Sequence, residues 1–295
     1  MKVSGFLKRA AAVVAVPAFA LLVGTAPAQA QAVASGSLSF SGDEGDYISG
    51  GGSYAYSTDA KDRLTVNASE DRNHIGVSVS AFNGDWWTVD LAAPSGTGLT
   101  AGTYDGATRY PFQGADAPGL DLGGNGRGCN TLAGTFTVQN VVFGPRGYVQ
   151  TLDATFEQHC EGGKPAARGE VHIANPPAPP ELAIGLKVAT DGTASTLNGN
   201  AYLHGTVECT GPAKVTLSGS ATQVKHNVII RGTYSAQVAC TPGTSAPWKA
   251  TVVPTGTTPF QKGKAEVVTQ ATALDPNYNT YVSVDDTTVV TLAKG

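Results

Sequence analysis

The sequence predicts an all-β protein built from two antiparallel β-sandwich-type domains, the second immunoglobulin-like, joined by a proline-rich linker. Three observations carry that expectation. Apolar and polar residues alternate with period two along many short stretches, and no stretch shows a 3.6-residue period. The chain is rich in glycine, 37 of 295 residues, and in Thr, Ser and Val, a composition that suits strands and tight turns. The string Asn175-Pro176-Pro177-Ala178-Pro179-Pro180 then divides it. Such a run takes the polyproline II form and acts as a short semi-rigid spacer.

Residues 1–30 read as a secretory signal peptide. Lys2, Lys8 and Arg9 form a basic start, an apolar run covers 10–24, and Ala28-Gln29-Ala30 offers small residues for cleavage after Ala30. The run is short for a bilayer and is interrupted by Pro17. With no second apolar run and no anchor signal at the end, the expectation is a secreted, extracellular protein without a membrane anchor. Without Lys2, Lys8 and Arg9, 16 of the 19 basic residues remain against 23 acidic ones, a net charge of about −7. That balance disfavours nucleic acid, whose binding depends on neutralised phosphates.

The first domain is placed at 33–174, with strands expected at 36–41, 53–58, 63–69, 75–82, 86–92, 135–143, 149–160 and 169–174. Gly50-Gly51-Gly52 and Gly123-Gly124-Asn125-Gly126 read as turns or loops with left-handed backbone positions. After the linker at 175–181, the second domain occupies 182–293. Its strands are expected near 203–209, 214–218, 228–240, 248–254, 265–274 and 282–292. In the stretch 228–240, Val228, Ile230, Tyr234, Ala236, Val238 and Cys240 share one parity and are expected to face inward.

Four cysteines in an exported chain imply two disulfides, for which three pairings exist. Cys129 with Cys160 and Cys209 with Cys240 is the pairing that keeps each bridge inside one domain. Each then closes a loop worth roughly 3.5 kcal/mol of chain entropy. Free thiols or a metal site are the alternatives, although no C-x-x-C spacing supports zinc.

Four strings occur in order: Asp43-Glu44-Gly45-Asp46-Tyr47-Ile48, Asp85-Trp86-Trp87-Thr88, Gly126-Arg127-Gly128-Cys129-Asn130 and Phe156-Glu157-Gln158-His159-Cys160-Glu161-Gly162. Together they resemble an uncharacterised exported bacterial β-rich module spanning roughly residues 38–173. The string from Cys240 through Trp248 to Pro259-Phe260 is similar to a secreted bacterial domain of unknown function, immunoglobulin-like in type. Both resemblances imply β-rich exported modules and bring no activity or catalytic residues with them.

Three places could carry chemistry. Trp86, Thr88 and Asp90 share the parity opposite to the core residues Trp87, Val89 and Leu91. An outward Trp86 is a platform for a sugar ring or a partner side chain. Tyr47, Tyr54, Tyr56, Tyr110 and Phe112 could extend the aromatic surface. Glu157-x-His159 and Glu170-x-His172 lie on outer faces of adjacent strands. A hairpin over 161–165 is expected to set them side by side as ligands for zinc or as a proton-transfer pair. Polar alternation on a solvent-facing hairpin gives the same pattern without a metal. Asp43, Glu44 and Asp46 could hold calcium, as more weakly could Asp121 and Asn125, but the spacing is not that of a dedicated calcium loop. No G-x-S-x-G occurs, and His74, His204 and His226 have no evident triad partner.

The functional expectation is a non-enzymatic binding or adhesion-type protein that meets an extracellular carbohydrate or protein surface and needs no cofactor. The alternative is a secreted hydrolase or metal-dependent enzyme using the Glu/His cluster. A carrier of a small apolar ligand is a third reading.

Overall fold

A computed structural model of the protein describes residues 30–295, so the signal segment expected over 1–30 lies outside the described residues except for Ala30. Strands account for almost all regular structure, and the described residues contain no α-helix. The all-β expectation holds.

Eleven strands form a first sheet: β1 (Gln31–Ala32), β2 (Ser35–Gly42), β3 (Ser53–Ser57), β4 (Arg63–Ala68), β5 (His74–Ser80), β6 (Trp86–Ala92), β7 (Gly102–Arg109), β8 (Gly119–Gly124), β9 (Leu132–Phe143), β10 (Val149–Cys160) and β11 (Ala166–Ala174). Their order is β1-β4-β5-β6-β8-β7-β9-β10-β11-β2-β3. The sheet curls until strands distant in this order meet. Trp87 of β6 packs edge-on against Phe40 of β2 at 4.7 Å and against Tyr54 of β3 at 5.2 Å. Gln31 of β1 exchanges two hydrogen bonds with the backbone of Val149 at the start of β10. Alternate apolar residues of β2, β4, β5, β6, β10 and β11 face the enclosed core, which runs from Val33 to Ile173.

Eight more strands follow: β12 (Ile184–Val188), β13 (Asp191–Ala194), β14 (Ala201–Cys209), β15 (Ala213–Lys225), β16 (Val228–Cys240), β17 (Ala246–Pro254), β18 (Gly263–Asp275) and β19 (Thr280–Lys294). β14 pairs with β12 and β13 along one edge and with β17 along the other, so the sheet closes on itself as a barrel around its own core from Leu182 to Leu292. Val228 departs from the expected inward parity and is exposed, because β15 and β16 continue as a hairpin past the edge of the core to a turn at His226 and Asn227.

Both expected cysteine pairs are within bonding distance, Cys129 with Cys160 and Cys209 with Cys240. The proline-rich segment 175–181 carries no strand or helix, and it is held from both sides. The Tyr148 hydroxyl donates to Pro176 O, Asn277 Nδ2 to Pro180 O, and the Tyr278 hydroxyl to Pro179 O.

Five strands fall outside the expected set: the short β1, β12 and β13, and, at the centre of the first sheet, β7 and β8. β7 buries only Ala107 and is broken by a register shift between Tyr104 and Ala107. β8 contains Gly123 and Gly124, read above as loop. Only Asn125 and Gly126 have the left-handed conformation there. Gly124 is required for another reason: a Cβ at that position would collide with the Trp86 carbonyl and the Trp87 indole.

β8 also explains a polar residue in the core. β6 pairs with β8 along its whole length, but β7 reaches only Gly119 and Leu120 on the other edge. Gln158, fully buried on β10, replaces the missing strand. Its Oε1 accepts from Leu122 N–H at 2.7 Å and its Nε2 donates to Leu122 O at 2.9 Å. The side-chain amide thus stands in for a peptide group. Gln158→Leu keeps the bulk but strands a buried N–H and C=O. We expect a loss of about 2–4 kcal/mol in urea unfolding, whereas a Gln158→Glu variant that unfolds at the wild-type midpoint would contradict the amide's role.

Candidate functional site

The outer face of β4, β5, β6 and β8 is the best-organised polar surface of the first sheet. Strand register sets its side chains in rungs. One rung is Asn67, Gly76, Asp90 and Asp121; the next is Thr65, Ser78, Thr88 and Gly123; the third is Arg63, Ser80 and Trp86. The expected trio of Trp86, Thr88 and Asp90 therefore lies in one line, each on a different rung. Inward, Trp87, Val89 and Leu91 are buried, as their parity requires.

Trp86 is 51% exposed, and Phe82 in the adjoining β5–β6 turn is 82% exposed. The backbone beneath them is fixed by a relay of side chains. Trp87 Nε1 donates to the Tyr56 hydroxyl at 2.8 Å, which donates to Asp85 at 2.7 Å. Asp85 accepts from Asn125 Nδ2, and Asn125 Oδ1 accepts from Trp86 N–H. The Tyr56 hydroxyl holds Asp85 below the ordinary carboxylate range, so this anchor stays ionised. The Arg127 guanidinium lies 5.0 Å above the Trp87 ring. An exposed indole on so rigid a base is pre-organised for contact.

The other aromatic residues divide. Tyr47 and Phe112 are exposed, Tyr56 is buried, and Tyr54 is packed against Phe40 at 4.7 Å. Tyr110 stacks flat on His74 at 4.2 Å, and His74 Nε2 bonds Asp90 Oδ1 at 2.7 Å. His74 thus has a carboxylate partner that spacing alone did not reveal.

Asp121 sits directly across from Asp90 on β8. Burial, reinforced by the Asp90 charge and opposed by Arg109, pushes its pKa up to about 6. Among the described residues, seven buried side-chain N or O atoms lack a hydrogen-bond partner. Four of them, Thr108 Oγ1, Arg109 Nε, Gln113 Oε1 and Asp121 Oδ1, cluster in residues 108–121. Unsatisfied polar atoms mark places where a fold departs from stability alone.

The Glu/His cluster is not assembled as expected. The 161–165 loop sets His159 opposite Ala166, which carries Glu157 opposite Arg168 and His172 opposite Asp153. Glu157 and His159 are therefore four residues out of step with Glu170 and His172. Glu157 bonds Arg168 at 2.7 Å and His159 at 3.0 Å, and those two partners hold its carboxyl below the usual range. His172 bonds Asp153 at 2.9 Å, which raises its pKa, and lies 3.7 Å from Glu170. Arg168, absent from the expected set, pairs with Glu157 and with Asp43. Among the described residues no group of three or more His, Cys, Asp or Glu could hold a metal ion. The acidic loop also disperses. Asp43 bonds Arg168 and Ala166 N, while Asp46 is buried and accepts from the backbone and hydroxyl of Ser49.

The raised pKa of Asp121 has a signed consequence. An acid whose folded pKa of about 6 exceeds its unfolded value of 3.8 keeps its proton longer in the folded state. Stability is then lost as pH rises through that interval, because ionisation opposes folding. Asp121→Asn should be near neutral at pH 4 and stabilising by on the order of 1 kcal/mol at pH 8. Paired denaturation curves at the two pH values check this, and a pH-independent difference would refute it. In comparisons with known proteins, no family model matches the chain and no curated protein matches its sequence.

Proposed function

We propose that the protein is a secreted, non-enzymatic binding protein that engages an extracellular polysaccharide surface through the face carrying Trp86, Thr88 and Asp90. The observation that carries this reading is the half-exposed Trp86. It is anchored through Asn125 and Asp85, flanked by exposed Phe82, and set beside the polar rung of Thr65, Ser78 and Thr88. Sugar rings offer C–H faces to an indole and hydroxyls to Thr and Asp side chains, so a mixed aromatic and polar strip suits them.

Export is supported by the basic and apolar start of the sequence and by the two cysteine pairs. The chain shows no helix among the described residues long and apolar enough to cross a membrane. A two-domain organisation is supported by two buried clusters that share no residue, one ending at Ile173 and the other beginning at Leu182. The immunoglobulin-like reading of the second domain rests on its mainly antiparallel strands around one disulfide-bearing core, although that sheet closes as a barrel and pairs β13 with β19 in parallel.

Hydrolysis is the second reading, and it moves from the Glu/His cluster to Asp90 and Asp121. Two facing carboxyls with one pKa raised can divide acid and base roles. Against it, Asp121 Oδ1 is buried and Asp90 is engaged by His74, so binding is favoured.

Retention of the wild-type protein on insoluble polysaccharides tests the proposal. Trp86→Ala should weaken retention about tenfold, the equivalent of about 1.4 kcal/mol, with an unchanged melting temperature. Equal retention of wild type and variant on every polysaccharide that binds, or retention on none, would overturn it.

A further inference from the structure

A cleft of about 890 Å³ opens where the first sheet meets the second, away from Trp86. Turns from both sheets form it: the β4–β5 turn with Asp71, the β9–β10 turn with Arg146 and Tyr148, and the β18–β19 turn with Tyr278. His74 and Tyr110 complete one wall. We infer that this cleft is a second binding site, for a neutral oligosaccharide of two or three rings.

The aromatic rings are its first argument. Tyr148 and Tyr278 commit their hydroxyls to Pro176 O and Pro179 O, and Tyr110 is fixed by its stack on His74. What these residues have left to offer a ligand is ring surface. Burial raises the pKa of both Tyr110 and Tyr278, helped for Tyr110 by Asp90 and Asp71 and for Tyr278 by Glu181 and Asp275. The rings therefore stay neutral. Neutral tyrosine rings held in place are suited to stacking against C–H faces.

Charge selects against anions. Arg146, the cation of the cleft, is bound by Glu70 and Glu181, each at 3.0 Å. Asp71 adds a negative charge, and a hydrogen bond from Ser69 favours its ionised form. A sulfated or phosphorylated ligand would meet carboxylates without a free positive partner. Size decides between the remaining classes. Small cations such as a trimethylammonium group fit an aromatic cage, but this volume lies in the range that encloses a drug-sized molecule. Two or three sugar rings use it, and Asn67 on the wall supplies amide donors and acceptors for hydroxyls.

This site does not depend on the Trp86 face, and the two can fail separately. The protein is applied to an array of neutral, sulfated and sialylated oligosaccharides, and the best-retained soluble glycan is titrated by calorimetry and by nuclear magnetic resonance of the tyrosine rings. We expect a neutral di- or trisaccharide to bind, with shifts at Tyr110, Tyr148 and Tyr278. Tyr110→Ala should weaken that affinity at least tenfold, Tyr278→Phe should retain most of it, and Trp86→Ala should leave it unchanged. The ring shifts are read on the wild-type protein, so misfolding of a variant does not blunt the test. No neutral glycan bound, tighter binding of a sulfated or sialylated one, or shifts confined to Trp86 would overturn the inference.

Discussion

The first sheet depends on how β8 is held. That strand enters between β6 and β7 out of chain order, so one of its edges lacks a full partner. Gln158 supplies it from β10, beyond the point where β7 stops pairing. The amide is placed by its neighbours: Cys160, two residues on, pairs with Cys129, and Gln158 Nε2 lies 3.3 Å from Cys129 Sγ. Gly134 of β9 lets the Leu120 side chain of β8 lie against the sheet, because a Cβ there would come 2.8 Å from it. A buried side-chain amide is tolerable only when its donors and acceptors are met. Here the same bonds satisfy the strand edge, so each group removes the other's desolvation cost.

Everything on the polar outer face follows from that placement. β8 brings Asp121 opposite Asp90 and Gly123 opposite Thr88. It also leads into Asn125, whose side chain ties the Trp86 backbone to Asp85. The exposed indole thus rests on a chain of contacts that begins in the core, at Trp87 and Tyr56. Rigidity of this kind lowers the ordering cost of binding rather than adding contacts. It also explains why two adjacent tryptophans serve opposite purposes, one filling the core and one facing outward.

Much of this was legible in the sequence because a strand with one buried face writes its period into the chain. β5, β6, β10 and β11 bury largely alternate residues, and their parities could be assigned from the apolar residues, in β10 from Leu152, Ala154, Phe156 and Cys160. β8 hid itself by being buried on both faces and by using glycine for close approach, which reads as a loop. β7 hid by being largely exposed and irregular. Asp121 was visible only as an isolated acid, since its partner Asp90 depends on a strand order that no local pattern encodes. The Glu/His register is a different case. A five-residue turn between Cys160 and Ala166 fixes Glu157 against Arg168, and that arithmetic was available from the turn itself.

Strand register also separates the surfaces of the first sheet by charge. Near the β10–β11 hairpin end the acidic groups are engaged, Arg168 bridging Glu157 and Asp43 while Glu161 accepts from Asn130 and Thr131. That face is self-satisfied and has little left for a ligand. On β6 and β8 the reverse holds. Asp90 and Asp121 face each other across a strand pair, His74 hydrogen-bonds only the first, and Arg109 acts on the second through its charge alone. Stability alone would favour an apolar or fully paired rung here. Four of the seven unpartnered buried side-chain atoms among the described residues fall in 108–121, Asp121 Oδ1 among them, beside the stacked Tyr110 and His74, where the polar face gives way to the cleft.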